Sequence, residues 1–429
     1  MEFERSAAGS GYRKLQLPDK MSNGFLSQYK NLRKEIYILF FGRVVTNLGS
    51  MVWPMLTLIL SQKMGLDAMS ISAVTVGAGL LMVPANLIGG RLADRCNKKW
   101  VIVCGDTVSV ICYIICSAIP LGWGSVVLML AAAVCQSMEG PSYNSLIADL
   151  STTQDRDKAY SLQYLGANLG LVLSPTLSGL LFKNYLWLSF LISGIAIGIS
   201  TILIATKIRD IHPETDTSEA GIYQQAQENT SLRTILKENR IIIIFMLGMA
   251  LYYTADHQYT FLMPLEMGVV HGGDGAVIFG TVSSLNCIVV VIFTPMITRL
   301  LAGKGDITKL LTGQFLVGIG YVFFLVFLGH IPVYYLAMLL FTWGEICSTI
   351  GEGPYLSKRI PSSHRGRLNG FSSVLAFAVQ SVCQLTVGRL YDKGGSLAAW
   401  TAVFIILALA ISLIFVLLFQ DKKHYPKLY

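Results

Sequence analysis

Residues 89–99 read GGRLADRCNKK, with two glycines, one acid and four bases in eleven positions. Elsewhere charge is scarce: only 14% of the 429 residues are charged and 53% are apolar, where globular chains carry about a quarter charged. Mean hydropathy is +0.57. The runs on either side of the charged stretch, 70–90 and 99–120, each have the roughly 20 apolar residues that one membrane crossing needs. The stretch is therefore a short connection at a membrane surface, and the chain around it lies in lipid.

Working outward gives further runs of the same kind at 36–62, 124–148, 159–182, 185–206, 240–263, 276–300, 308–329, 332–356, 370–390 and 397–419. The expected fold is an all-α membrane protein of about twelve transmembrane helices, because only helices and closed barrels satisfy their backbone in hydrocarbon. No apolar leader precedes the first run, so no cleavable signal is expected, and Met21 offers an alternative start. Cysteines such as Cys112 and Cys116, four apart on a helix, suit packing better than a closed metal site. No metal or cofactor is expected.

The net charge of +8 has a sided distribution that argues against nucleic acid. With the N-terminus placed in the cytoplasm, 28 of the 33 Lys and Arg fall on that side. The outer connections hold only Lys63, Lys183, Arg389 and Lys393. This positive-inside bias predicts a multi-pass protein of the cell membrane with both termini cytoplasmic.

The one long polar insert divides the runs six and six. The predicted organisation is a segment 1–35, a six-helix bundle 36–206, a linker 207–239, a second bundle 240–420 and a tail 421–429. The halves echo each other: EGPSYNSLIADL from Glu139 ends the fourth run and EGPYLSKRIPSS from Glu352 ends the tenth. RDKAYS from Arg156 and RLNGFS from Arg367 follow them into the next helix. A shift of six helices is what a duplicated 6+6 carrier with pseudo-two-fold symmetry would give.

With these features together, the chain resembles the major facilitator superfamily from about residue 35 onward. The signature between that family's second and third helices falls here on Gly90, Leu92, Asp94, Arg95, Asn97, Lys98 and Lys99. Asn97 stands where glycine is usual, and a left-handed turn residue is expected there. Gly90 would let a neighbouring helix approach, Asp94 would face a helix N-terminus, and the bases would bridge to Asp149. The resemblance implies a latch between the halves on the cytoplasmic side. RLLAGKGD from Arg299 is its degraded counterpart in the second half.

GANLGLVLSPTLSG, residues 166–179, is similar to the glycine-rich motif of the superfamily's drug:proton antiporters, with Ser174 for the glycine before Pro175. Gly166, Gly170, Ser174 and Gly179 would pack as a seam against the other half and Pro175 would bend the helix. The fourth run, LMLAAAVCQSMEG from Leu128, lacks the base those antiporters usually carry.

Ionisable groups are costly in a bilayer and mark function. Arg43 shares a face with Thr46, Asn47 and Ser50, and Glu139 with Gln136 and Tyr143. Thr342, Glu345, Ser348, Thr349 and Glu352 form a third stripe. LYYTADHQYTF from Leu251 sets Tyr252, Asp256 and Tyr259 on one face with Tyr253 and His257 on its flank. In the family's architecture these helices, first, fourth, seventh and tenth, surround one central cavity. Asp256, Glu139, Glu345, His257 and Arg43 are the candidates for coupling to protons. Asn47, Gln136, Tyr143, Tyr252, Tyr253, Tyr259, Thr342, Ser348 and Thr349 are candidates for touching a solute. Asp106 is expected to pair with Arg43 or the local backbone.

No nucleotide-binding loop is present, so neither an enzyme nor an ATP-driven pump is expected. The reading is a monomeric secondary transporter exporting a small organic solute or drug by proton antiport. The alternatives are proton-coupled uptake or uniport of a nutrient or metabolite, and a non-transporting receptor.

Overall fold

The computed structural model describes residues 29, 32–151, 155–208, 239–359 and 365–426, and every regular element among them is helical. Among the described residues ten stretches are long and apolar enough to cross a membrane. Two of these, Arg240–Leu300 and Phe371–His424, run to 61 and 54 residues, enough for two crossings each. Each carries a positive-φ glycine, Gly272 (φ 55°) and Gly395 (φ 69°), where the sequence predicts a connection. The expected twelve spans count each of these stretches as two. Most of the expected linker and the N-terminal segment lie outside the described residues.

The first span is broken. α1 (Lys34–Leu48) ends at Gly49, a 3₁₀ turn follows at Trp53–Met55, and α2 (Leu56–Leu58) runs into a π-turn at Ile59–Lys63. Pro54 lacks the donor that would continue the ladder backward, so the chain restarts there and turns Trp53 inward. α3 (Ala68–Arg95) begins at Asp67, whose carboxylate accepts from the Ser70 amide at 2.9 Å. Hydrogen bonding by Ser70, side chain first and then amide, holds the Asp67 carboxyl below the usual carboxylate range. α4 (Lys98–Ala118), α5 (Trp123–Leu150), α6 (Arg156–Leu171), α7 (Ser174–Phe182) and α8 (Leu186–Lys207) follow. Beyond the linker come α9 (Arg240–Asp256), α10 (Gln258–His271), α11 (Gly275–Leu300), α12 (Asp306–Val326), α13 (Ile331–Arg359) and α14 (Arg365–His424).

α4 packs on α5 and α8, and α1 on α6 and α8, while α12 packs on α13 and α9 on α14. The two groups meet mainly toward one end, where α7 lies against α11 and α3 against α14. There the Thr57 hydroxyl donates to the Thr260 carbonyl at 2.8 Å and the Gln62 amide to the Gly272 carbonyl at 3.1 Å. Asp392 accepts from the Ala68 and Met69 amides at 3.0 and 2.7 Å, satisfying donors that the first turn of α3 leaves open. At the opposite end the ion pairs Lys98–Asp149, Lys358–Asp306 and Arg359–Asp421 each stay within one group.

The expected small-residue seam is split. Gly166 packs on the Phe40 ring and Gly170 on the Val44 carbonyl, both on α1 of the same half. Beyond the break at Val172–Leu173 the seam turns to the other group: a Cβ on Gly179 would meet the Ala276 carbonyl at 2.5 Å, and Gly280 packs on the Pro175 carbonyl. Pro175 opens a new helix instead of bending a continuous one, and Ser174 is buried behind it. Gly179→Leu should therefore hold this end apart, overpacking the seam by about 1–3 kcal/mol. The Thr176 and Ser284 hydroxyls lie 2.7 Å apart across it. A Thr176→Cys/Ser284→Cys disulfide should form readily alone and poorly with Gly179→Leu; equal yields would refute the seam.

Candidate functional site

The expected single cavity is divided. In the first half, α1, α4, α5 and α8 enclose about 370 Å³ lined by Arg43, Thr46, Asn47, Ser50, Gln136, Glu139 and Tyr143. These seven sequence candidates thus come together. The Asn47 amide donates to the Arg43 carbonyl at 2.8 Å and the Tyr143 hydroxyl to the Leu39 carbonyl at 2.9 Å. The Arg43 guanidinium lies 5.4 Å from the Tyr143 ring centroid, a cation–π arrangement. Asp106 enters the same cavity, held by the Thr201 hydroxyl at 2.9 Å. Glu139 and Arg43 are both electrostatic neighbours of Asp106. Asp106 thus has Arg43 near it, one of the two partners the sequence suggested, and Glu139 besides, and Glu139 Oε2 is buried with no hydrogen-bond partner.

The candidates of the second half gather around α9, α11 and α13. Asn286 donates to Glu345 at 3.0 Å and to the Thr342 hydroxyl at 2.9 Å. Asp256 has Glu345 and Tyr252 as its polar neighbours, and Asp256 Oδ1, the Tyr252 hydroxyl and Ser348 Oγ are all buried without a hydrogen-bond partner. Tyr259 packs on Phe279 and Phe341, with centroids 6.3 and 5.3 Å away. The Tyr253 hydroxyl donates to Glu352, making Glu352 a tie between α9 and α13. Thr349 donates to the Glu345 carbonyl at 2.9 Å and, with Glu345 and Tyr164, borders a small gap between the halves.

Asp256 and His257, adjacent in sequence, are not brought together. α9 ends at Asp256, and His257 turns into a third space of about 560 Å³ between the groups, among Trp53, Thr57, Phe377, Gln380 and Gln384. Its Nδ1 lies 2.7 Å from the Tyr253 carbonyl. Trp53 and Met82 line both this space and the first-half cavity, so they form the wall between the two. The helix break that turns Trp53 inward therefore creates the partition.

The charged connection differs in detail from its reading. Asn97 has φ −64° and ψ 114° and caps α4, its side chain accepting from the Lys99 amide at 3.1 Å. It is not left-handed, because the favoured role of Asn here is that of an N-cap. Gly89, not Gly90, makes the close approach: a Cβ on Gly89 would strike the Met138 carbonyl, whereas Gly90 has nothing nearby. Lys98 pairs with Asp149, joining α4 to α5 inside the first half. Leu92 and Arg95 end α3, and Lys99 donates to the Ile208 carbonyl at 2.8 Å. The side chain of Asp94 lies outside the described part.

Sequence reasoning missed Asn286 and Glu266. Asn286 bridges two candidates, and nothing in the helical pattern separates it from a packing polar. Glu266 is buried in α10 with Oε1 unpartnered; in the sequence it falls in the connection between the runs 240–263 and 276–300, where an acid carries no signal. Among the described residues no group of three or more His, Cys, Asp or Glu is placed to hold a metal.

Residues 39–382 match the sequence model of a family described as Major Facilitator Superfamily. A Na(+), Li(+), K(+)/H(+) antiporter of Planococcus maritimus is 22% identical over 79% of this chain and 83% of its own length. The quinolone resistance protein NorA of Staphylococcus aureus is 23% identical over 53% of this chain and 59% of its own. The crystal structure of peptide transporter POT in complex with sulfate is 17% identical, covers 89% of this chain and 94% of that chain, and superposes with a TM-score of 0.75. At that identity the likeness concerns the fold.

Proposed function

Because the chain belongs to the major facilitator superfamily, we propose that it is a secondary transporter exporting a small organic solute in exchange for protons. Alternating access of two six-helix halves carries the solute across. Two relatives, one named for exchange of cations with protons and one for drug resistance, support the antiport branch. The observation that carries the reading is the pair of carboxyl oxygens, Glu139 Oε2 and Asp256 Oδ1, each buried in a membrane helix without a hydrogen-bond partner. A bare charge there is costly, and a proton removes it. Asp256 is the principal proton carrier in this reading, with Glu139 and Glu345 beside it. Arg43 and His257 bias the balance, and the hydroxyls and amides of the two inner spaces meet the solute.

The ties Thr57–Thr260, Gln62–Gly272 and Asp392–Ala68 between the groups lie on the side away from the charged connections, which suits a carrier open toward the cytoplasm if the basic side is cytoplasmic. On this reading Lys98–Asp149 and its neighbours reach across only when that side closes. Uptake of a nutrient is the competing reading, favoured by the absence of a base in the fourth run. In vesicles loaded with the pH dye pyranine, a transported solute should drive protons the opposite way. Solute movement without a dye response would remove the coupling.

The topology has its own test. Ser218 lies outside the described residues, in the insert that the basic residues place in the cytoplasm. Ser218→Cys should resist an impermeant maleimide in intact cells and react once they are opened; labelling of intact cells would invert the assignment.

A further inference from the structure

The space around His257 carries no fixed charge. Among the described residues that line its 560 Å³ there is no Asp, Glu, Lys or Arg. Arg43, Asp106 and Glu139 stand beyond the wall of Trp53 and Met82, in the first-half cavity. The hydroxyls that border the space spend their hydrogens on backbone carbonyls: Thr57 on Thr260 at 2.8 Å, Thr75 on Ser72 at 2.9 Å, Thr260 on His257 at 2.9 Å and Ser381 on Phe377 at 2.7 Å. The amides of α14 are placed differently. The Gln384 oxygen accepts from Gln258 Nε2 at 3.2 Å, which leaves the Gln384 nitrogen to donate, and the half-buried Gln380 makes no hydrogen bond within the protein. At His257 the contact of Nδ1 with the Tyr253 carbonyl puts the hydrogen of the neutral ring on Nδ1, so Nε2 is left as an acceptor. Gln384 is bonded to Gln258, the residue after the exposed His257, so donor and acceptor lie at one end of the space. Trp53 of the first half and Phe377 of the second add aromatic rings. The Phe377 ring is seated against bare Gly79, where a Cβ would meet it at 2.1 Å.

We propose that the solute of this space is an uncharged planar heteroaromatic with a donor and an acceptor side by side on one edge, as in a lactam or imide ring. Its N–H meets His257 Nε2, its carbonyl meets the amides of Gln384 and Gln380, and its faces pack on Trp53 and Phe377. A full charge would lose its hydration here and find no fixed counter-charge, so cations and carboxylates of the same frame are rejected. This solute class rests on the carrier reading above and deepens it.

The test uses four compounds on one tricyclic frame: 6-phenanthridinone, its N-methyl derivative, N-methylphenanthridinium and phenanthridine-6-carboxylate. Each is dialysed to equilibrium against the full chain in phosphatidylcholine nanodiscs at about pH 8, where an ordinary histidine is neutral, with empty nanodiscs as reference. The lactam should be retained above the reference, and the three others several-fold less, since each lacks the N–H and two carry a charge. His257→Phe should bring the lactam down to the level of its N-methyl derivative. Gln380→Glu should reverse the order in favour of N-methylphenanthridinium, which a merely structural role for Gln380 would not do. Should one variant not fold, the other decides. The assignment is overturned if the lactam is retained no better than by empty nanodiscs, if any of the other three matches it, or if a folded variant leaves the order unchanged. Retention is read with no gradient: lactam binding without a pyranine response upholds the class and removes the coupling, and a pyranine response to other solutes without lactam binding keeps the carrier and overturns the class.

Discussion

Vesicles carrying Asp256→Asn should fail to accumulate solute under an imposed pH gradient while still exchanging it downhill. The solute is first found by thermal stabilisation of the purified chain across amphipathic drugs, sugars and metabolites. Asp256 Oδ1 has no hydrogen-bond partner, and the neighbouring Tyr252 hydroxyl also lacks one, so the carboxyl is not committed to a structural tie. It lies at the end of α9, where the helix breaks before α10, and a change in its charge acts on that junction. Coupling requires that proton and solute each alter the other's affinity; the isosteric amide keeps the shape and removes the titration. Accumulation should fall to the background of empty vesicles. Glu139→Gln and Glu345→Gln are run beside it. Glu345 is already held by Asn286, so its loss should disturb packing as well as coupling. If all three variants keep full gradient-driven transport, the chain is a uniporter or is coupled otherwise.

The largest expected loss of stability lies far from these acids. Arg359 and Asp421 tie α13 to the end of α14 with side chains only 3% and 0% exposed. Arg359 Nε donates to Oδ1 at 2.9 Å and a terminal nitrogen to Oδ2 at 2.5 Å. The Tyr355 hydroxyl adds a bond to Oδ1 at 2.9 Å, and the guanidinium lies 3.9 Å from the Tyr355 ring centroid. Asp421→Ala removes the two-point carboxylate partner of a buried guanidinium, which keeps Asp306 Oδ2 at 3.7 Å and the Tyr355 carbonyl at 3.0 Å, and should cost up to about 3–5 kcal/mol. Asp155→Ala, which loses the half-exposed pair with Lys158, should cost less than about 1 kcal/mol. Thermal unfolding in detergent should place Asp421→Ala well below Asp155→Ala, and Asp421→Leu/Arg359→Met should recover part of the loss. Equal unfolding temperatures for the two single variants would contradict a tie of this strength.

The all-helical fold was legible because lipid leaves the backbone few choices, and the polar stripe of Arg43, Thr46, Asn47 and Ser50 was legible because helical spacing fixes one face. Periodicity says nothing about what a face meets. Gly89 and Gly90 differ by one residue and about 100° around α3, and only the structure shows which meets Met138. The small residues of 166–179 read as one seam, yet the break at Val172–Leu173 sends Gly166 to α1 and Gly179 to α11. Asn97 shows a second limit, since Asn serves both left-handed turns and N-caps and the spacing did not choose between them. The division of the inner space rests on Trp53 and Met82, apolar residues from different spans whose joint role exists only in three dimensions. Asp106 lay in view as an acid within a span, but its pairing with Glu139 crosses from α4 to α5.

The central claim, exchange of solute for protons, is tested most directly in vesicles of the unaltered chain with solute equal on both sides and the interior made acid. An antiporter moves solute toward the acid compartment whichever way it is inserted, so solute should accumulate inside. That accumulation should exceed the level in protein-free vesicles and collapse with a protonophore. Accumulation in the alkaline compartment would mean symport, and no accumulation beyond protein-free vesicles would mean that protons do not drive this carrier.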